Sequence, residues 1–328
     1  MSARQVVDMA PPEALAGPLA WRCGDVASDA GRLAVSANAH DELARTAMLL
    51  VDNPLPTEAL RPADFDLPHC RALMAEAARM LRHGCGFVIV DRLALDGIER
   101  RAAIGLYWLL AAMLARPVAQ KWDGTMIYDV TDKGRPPGNG VRPDITNVEQ
   151  NFHTDNSYNH CPPHYVALLC LQTAMQGGVS GLVSFHAAHE EMRRRHPDLL
   201  PRLYRPFHFD RQREHAPEDA MTVSHPLFVW TGERLIARLS LRQVLNGYAL
   251  AGEALDQEGR EALEAFEAVM NDPALRRDFH FEPGQIQIVD NLSLGHKRTG
   301  FTDWPEPDRK RHLVRLWLRD EGRPFYNG

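Results

Sequence analysis

Residues 165–185 read "YVALLCLQTAMQGGVSGLVSF" and contain two short strand candidates, "VALLCLQ" and "GLVSF", separated by a segment with a Gly-Gly pair. Short apolar runs bounded by turn residues are the sequence mark of strands. Outward from there, the chain beyond Asp144 repeats the pattern in "LFVWTGERLIARL", "RRDFHF", "GQIQIVDN" and "RHLVRLWLRD", with one helical run, "DQEGREALEAFEAVM", among them. Upstream the period changes. In "LPHCRALMAEAARMLRHGCGFVIV", which starts at Leu67, residues Leu73, Ala77, Met80 and Leu81 recur at helical spacing, Gly84 and Gly86 bracket a stop, and "FVIV" is a buried strand. A second helix runs through "DGIERRAAIGLYWLLAAML", "RPVAQ" returns to extended structure, and "KGRPPGNGVRPD" at 133–144 is an open loop of the length that lids have.

Helices first, then strands joined by irregular connections, predict an α+β, mainly β fold: a double-stranded β-helix (jelly-roll) core with flanking helices. A doubly wound sheet would need regular alternation of strand and helix. Residues 1–66, rich in Ala, Pro and Asp as in "APPEALAGP" and "NPLPTEALRP", are expected to be a loosely packed leader that wraps a single domain over 67–328.

The chain has 328 residues, 45% of them apolar, and no internal repeat. A formal charge of -6 and a pI near 6.2 lack the basic footprint of a nucleic-acid binder, so a small-molecule substrate is the expected partner. The longest apolar stretch, "IGLYWLLAAMLA" at 104–115, is too short to cross a bilayer, and no basic segment followed by an apolar core opens the chain. Five cysteines (Cys23, Cys70, Cys85, Cys161, Cys170) with no Cys-x-x-Cys pair fit free thiols in a reducing compartment, so the expected location is cytoplasmic. Oligomeric state is left open.

The stretch "FHTDNSY" at 152–158 raises a metal site, yet His-x-[Asp/Glu] also occurs at His40/Glu42, His189/Glu191, His196/Asp198, His208/Asp210 and His280/Glu282. Side chains two apart share a face of a strand but diverge by roughly 200° on a helix, so only an extended pair chelates one ion. His189/Glu191 and His196/Asp198 lie in helical composition, where "EEMRRR" reads as a solvated face, and His40/Glu42 reads as a helix start. In "PFHFD" and "DFHFE" the pairs alternate with Phe207/Phe209 and Phe279/Phe281; if the rings enter the core, the polar pairs face water. Around His153 and Asp155 the opposite face carries one large apolar residue, Phe152, so the polar face is free to turn inward. A two-histidine, one-carboxylate triad needs a distant third ligand, for which "VDNLSLGHKRTGF" offers His296. A lone histidine is more often a hydrogen-bonded structural residue, and that reading stays open.

The blocks "FHTDNSY", "PPHYVALLCLQTAMQGGVSGLVS", "VDNLSLGHKRTGF" and "PDRKRHLVRLWL", in that order, resemble the taurine dioxygenase-like group of iron(II) and 2-oxoglutarate-dependent oxygenases over roughly residues 85–320. The resemblance implies that His153, Asp155 and His296 hold Fe(II) in the jelly-roll. It implies that Arg315 pairs with the distal carboxylate of the cosubstrate 2-oxoglutarate, with Ser180 helping. It further implies that O2 is consumed with release of succinate and carbon dioxide and that a small molecule is hydroxylated or desaturated, since related halogenases lack the carboxylate ligand. The residues add to this for Arg315, an arginine between Leu313 and Trp317 on an otherwise apolar strand face, whose planar fork suits a carboxylate. Arg311 is its understudy. The competing reading is a cupin-type metal-binding jelly-roll without cosubstrate.

Asn151, Asn156, Tyr158 and Arg298 flank the ligands and are candidate substrate contacts or ligand-orienting residues. "HCPPH" at 160–164 offers a second His/Cys group, but no further pair stands at zinc-finger spacing. The four arginines of "RLYRPFHFDRQREH" at 202–215 would suit an anionic substrate, although a solvated surface loop is the commoner arrangement. Neither the substrate nor the oxidised position is named by the sequence.

Overall fold

The structure is a computed structural model and describes residues 14–136 and 141–328. Residues 137–140 of the expected lid loop, and the first thirteen residues of the expected leader, lie outside the described residues. In chain order come β1 (Arg32–Leu33), α1 (Ala37–Asp52), α2 (Pro68–His83), β2 (Phe87–Val90) and α3 (Arg100–Leu114). Then follow β3 (Arg116–Val118), β4 (Tyr128–Val130), β5 (Gln150–His153), β6 (Tyr165–Gln172), β7 (Gln176–Gly177), β8 (Ser180–Ser184) and α4 (Phe185–Arg195). Next are β9 (Phe207–Asp210), β10 (Thr222–His225), β11 (Phe228–Trp230), β12 (Leu235–Ala237), α5 (Leu241–Ala251) and α6 (Gln257–Asn271). The last strands are β13 (Arg276–Phe279), β14 (Ile286–Asp290), β15 (Leu294–Arg298), β16 (Phe301–Thr302) and β17 (His312–Arg319).

Two sheets carry the mixed α+β architecture. The larger runs β1-β2-β14-β6-β17-β3, with β4 also on β17, and is antiparallel except for the β1/β2 pair. The smaller runs β13-β8-β15-β5, all antiparallel. Alternation along the strands of the larger sheet sends Val88, Ala167, Leu169, Ile286, Ile288, Val314, Leu316 and Leu318 to one face, where they pack with the apolar stripes of α1, α2 and α3. The other face sends Phe87, Val166, Val289 and Trp317 into a second cluster with Phe152, Leu182 and Leu294 of the smaller sheet. Burying each Leu or Phe in such layers stabilises the fold by about 1.5–3 kcal/mol.

Three local features depart from the sequence expectation. First, within residues 1–66 the stretch 37–52 is not loosely packed: α1 buries Ala39, Leu43 and Ala47 in the helical layer. Its buried Glu42 does more than start a helix. Both carboxylate oxygens accept, at 2.9 Å each, from the backbone N–H groups of His69 and Cys70, capping α2, whose own N-cap residue Leu67 supplies no side-chain bond. Second, α5 stands in a region where the sequence marks only α6 among the strands. Its Gly247 lies against β9 so closely that a Cβ there would be 2.4 Å from the His208 carbonyl oxygen, so the glycine that weakens the helical pattern is what lets the helix dock. Third, "EEMRRR" is not a solvated face throughout, since Glu191 is fully buried and takes ion pairs from Arg22 (2.8 Å), Arg194 and Arg195. No described helix is long and apolar enough to cross a membrane.

Candidate active site

The two histidines meet because of strand register. His296 of β15 stands directly opposite His153 of β5 in the antiparallel ladder, and their rings lie 4.3 Å apart between centroids. β5 ends at His153, so Asp155 approaches from the turn after it rather than from the same strand face. Asn291, just beyond β14, fixes that turn: its Oδ1 accepts from the Asp155 backbone N–H at 2.8 Å, and its Nδ2 donates to the carbonyl oxygens of Asp155 (3.0 Å) and Pro163 (3.1 Å). Asp155 Oδ1 then stands 3.4 Å from His153 Nε2 and 3.5 Å from His296 Nε2.

The three ligand atoms lie within 4.8 Å of one another, the one such group among the described residues. Its chemistry fits Fe(II). Two imidazole nitrogens and one carboxylate oxygen form the facial set that leaves three coordination positions open. Tautomer supports it too, because His153 Nδ1 is 2.9 Å from the Asn151 carbonyl oxygen, to which only an N–H can donate, so Nε2 keeps its lone pair. The Gln150 amide nitrogen sits 2.8 Å from that same Nε2 and must move aside for a metal.

The carboxylate is held from behind. Trp317 Nε1 donates to Asp155 Oδ2 at 2.6 Å and Arg315 Nη1 lies 3.2 Å from the same oxygen, leaving Oδ1 to face the imidazoles. Burial acts to raise the Asp155 pKa, but the Arg315 charge and the two neighbouring imidazoles hold it well below the usual carboxylate range. Burial, with His153 alongside, pushes His296 down, favouring the neutral ligand form. A cavity of about 240 Å³ opens over the site, lined among others by His153, Asp155, Asn156, Tyr158, Arg315 and Trp317.

Arg315 is buried and paired with two carboxylates. Besides Asp155, its Nη2 pairs with Asp144 Oδ2 at 3.3 Å and its Nε donates to Gln120 Oε1 at 2.8 Å, while Gln120 returns a bond to the Arg315 carbonyl oxygen at 2.7 Å. Arg311, four residues earlier, is also buried but differs in company. Among the described residues its guanidinium meets no carboxylate and no hydrogen-bond acceptor, only the Phe301 ring face at 5.1 Å, and burial pushes it down to about 10. It lines a second cavity of about 310 Å³ together with Cys170, Gly178 and Leu313. Gly178, with φ +67°, makes room for it, since a Cβ there would lie 3.2 Å from Arg311 Nε.

The remaining candidates scatter. Ser180 is buried on β8, donating to Gln287 Oε1 at 3.3 Å, and lies opposite Arg298 in the ladder. Arg298 donates to the carbonyl oxygens of Val148 (2.7 Å) and Pro143 (3.3 Å); burial and the nearby Arg311 charge push it down to about 10. Asn151 turns to Glu267 of α6 at 2.8 Å. Asn151, Asn156 and Tyr158 all line the catalytic cavity. Among the described residues "HCPPH" joins no group of metal-ligating side chains: His160 faces His225, and His164 Nδ1 accepts from the Asp320 backbone. Of the four arginines at 202–215, Arg202, Arg205 and Arg211 are ion-paired with Asp256, Glu258 and Asp219. Sequence reasoning gave no role to Asn291, though it stands within "VDNLSLGHKRTGF", nor to Gln120 and Asp144, and took Trp317 for a plain apolar neighbour.

Comparison with known proteins agrees with this chemistry. The chain is 27% identical to the FR-33289 synthase of Streptomyces rubellomurinus over 296 residues, covering 87% of this chain and 86% of that protein. It is 31% identical to a uridine-5'-phosphate dioxygenase from a Streptomyces species over 52% of this chain and 61% of the relative. Its fold matches that of an asparagine oxygenase solved with Fe(II), 3-hydroxyasparagine and succinate (TM-score 0.66, 18% identity, 88% of this chain and 94% of that one). It equally matches the non-heme iron oxygenase OrfP solved with iron and alpha-ketoglutaric acid (TM-score 0.66, 16% identity, 88% and 94%). Residues 52–317, more than three quarters of the chain, match one family as a whole. The chain belongs to that family, the taurine catabolism dioxygenase TauD, TfdA family, and is an iron(II)- and 2-oxoglutarate-dependent oxygenase.

Proposed function

We propose that the chain hydroxylates a small polar molecule, with His153, Asp155 and His296 as the Fe(II) ligands and Arg311, rather than Arg315, as the anchor for the distal carboxylate of 2-oxoglutarate. The observation that carries the reading is the convergence of two Nε2 atoms and one carboxylate oxygen in register, with the second carboxylate oxygen already taken. The two facing sheets are read as the halves of a double-stranded β-helix. Bound iron supplies the oxygen chemistry, at the expense of the cosubstrate.

The chain's own residues supply the rest. Arg315 and Trp317 keep Asp155 ionised and turned edge-on. Arg315 touches this ligand and its charge is already shared by two carboxylates, whereas Arg311 is a buried cation with no ion-pair partner among the described residues and lies about two strand pleats, ~13 Å of backbone, away. A dicarboxylate reaching from metal to Arg311 would relieve that unpaired charge. Ser180 and Arg298 are read as flanking the same end.

For the substrate, two buried atoms in the wall of the catalytic cavity lack partners among the described residues: the donor Asn156 Nδ2 and the acceptor Asp144 Oδ1. They support a ligand that offers both an acceptor and a donor, as amino acids do; the structural neighbours hold hydroxylated asparagine and arginine. Five free cysteines support a reducing, cytoplasmic setting. The test is anaerobic addition of 2-oxoglutarate to the Fe(II) protein, followed by a succinate-release panel of amino acids and their derivatives. A visible charge-transfer band and stimulated succinate release are expected. No band, with oxygen uptake indifferent to 2-oxoglutarate, sinks the reading.

A further inference from the structure

The family match ends at Trp317, yet the chain continues, and its last residues turn back to the site. Arg319, the last residue of β17, donates from Nη1 to the Phe325 carbonyl oxygen and from Nη2 to that of Tyr326, both at 2.8 Å, and also to the Cys161 carbonyl oxygen. The Ala119 N–H donates to the Pro324 carbonyl oxygen at 2.8 Å, and Asn159 Nδ2 reaches that of Tyr326 at 3.3 Å. These bonds fold the segment 320–328 back and place Tyr326, 4% exposed, behind the wall of the catalytic cavity.

The Tyr326 ring meets Trp122 edge-on at 6.4 Å, and three further contacts tie it to the site. Its ring stacks on Trp317 at 6.5 Å and 27°, its hydroxyl donates to Asn156 Oδ1 at 3.0 Å, and the Tyr158 hydroxyl lies 2.8 Å from the Tyr326 hydroxyl. Because the single Tyr326 proton goes to Asn156, the Tyr158 hydroxyl is the donor in the second bond, and Asn156 Nδ2 is left without a partner among the described residues. One residue thus braces Trp317, whose N–H holds the ligand carboxylate, and the side chain immediately after that ligand.

We infer that Tyr326 is a positioning residue for the metal centre, acting through the Trp317 indole on the orientation of Asp155. The inference rests on Asp155 being an Fe(II) ligand as proposed above. A stack of this kind contributes beyond its buried area, and losing it lets the indole N–H drift from Asp155 Oδ2. Tyr326→Phe keeps the ring; Tyr326→Ala does not.

The experiment is anaerobic Fe(II) titration of the apoprotein, well below its thermal transition, with wild type, Tyr326→Ala, Tyr326→Phe, Trp317→Phe and the double variant Tyr326→Ala/Trp317→Phe. Fe(II) binding by wild type is established first; if wild type binds none, the ligand assignment fails before Tyr326 is tested. Tyr326→Ala should weaken Fe(II) binding roughly 3- to 10-fold, and Tyr326→Phe by less than about 3-fold. In the Trp317→Phe background Tyr326→Ala should cost nothing further, because the path it acts through is already cut. A tail that merely stabilised the fold would lower the melting temperature and leave the folded protein's metal affinity unchanged. Wild-type affinity in Tyr326→Ala, or a full additional loss in the double variant, overturns the inference. If Tyr326→Ala does not fold, Tyr326→Leu replaces it with the same expectations, and Phe325→Ala, altering an exposed neighbour, should bind Fe(II) like wild type.

Discussion

Arg311, just before β17, and Arg315, within it, stand four residues apart, are buried to nearly the same degree, 5% and 7% exposed, and have opposite electrostatic lives. Arg315 arrives with Asp155, Asp144 and Gln120 already disposed around its three nitrogens. Arg311 has a phenyl face and a cavity. A buried cation that is fully paired is a structural part of the site, and pairing it again with an incoming anion gains little. One that is buried unpaired raises the free energy of the empty protein, and that free energy returns when a carboxylate binds.

The largest effect comes from breaking the paired side. Asp155→Ala should abolish Fe(II) binding and turnover, measured by anaerobic titration and succinate release, while Arg315 keeps Asp144. Next, Arg311→Leu should weaken 2-oxoglutarate binding by at least ~100-fold, since an abandoned buried carboxylate costs roughly 3–5 kcal/mol. The same change should stabilise the empty protein in urea, because it deletes an unpaired charge. Arg315→Leu should do the reverse: 2-oxoglutarate affinity stays within about threefold, while unfolding free energy falls by roughly 3–5 kcal/mol as two buried carboxylates lose their shared cation. The sign of its pH dependence comes from Asp155, whose folded pKa is depressed. The stabilisation from Arg315 is complete above the ordinary carboxyl range near ~4 and is lost progressively below it, as pH falls toward the depressed folded pKa, so the variant and wild type should converge only in strong acid. If 2-oxoglutarate instead tracks Arg315 and ignores Arg311, the two roles are exchanged. The smallest effect is Gly178→Ala, which strains a φ of +67° and crowds Arg311 Nε: a cost of about 1 kcal/mol and a several-fold loss in 2-oxoglutarate binding, with Fe(II) affinity unchanged.

What the sequence could reveal depended on range. The sequence singled out His153 and Asp155 by spacing and by the composition of the opposite face, although Asp155 reaches the group from the turn after β5 rather than from a shared strand face. His296 was assigned only through the resemblance, its place opposite His153 being set by a register that the sequence does not show. Arg311 and Arg315 were not separable: the strand shows each its neighbours two residues away, whereas the acids that distinguish them come from positions 144 and 155. The strands of the larger sheet were readable from their apolar runs. α5 was not, since Gly247 and the polar Arg242, Gln243 and Asn246 dilute a pattern whose purpose is close contact with β9. α1 was hidden among Ala- and Pro-rich flanks that argue for loose structure, and the value of its Glu42 depends on a helix end 27 residues further on.

That cap has a dynamic consequence. The amide protons of His69 and Cys70 belong to the first turn of a helix, where exchange with solvent is ordinarily fast because no preceding carbonyl protects them. With the Glu42 carboxylate holding both, they can exchange only when α1 detaches from α2. Their deuterium uptake therefore reports the opening of the whole helical layer, and Glu42→Ala should return both to rapid exchange while the interior of α2 stays protected.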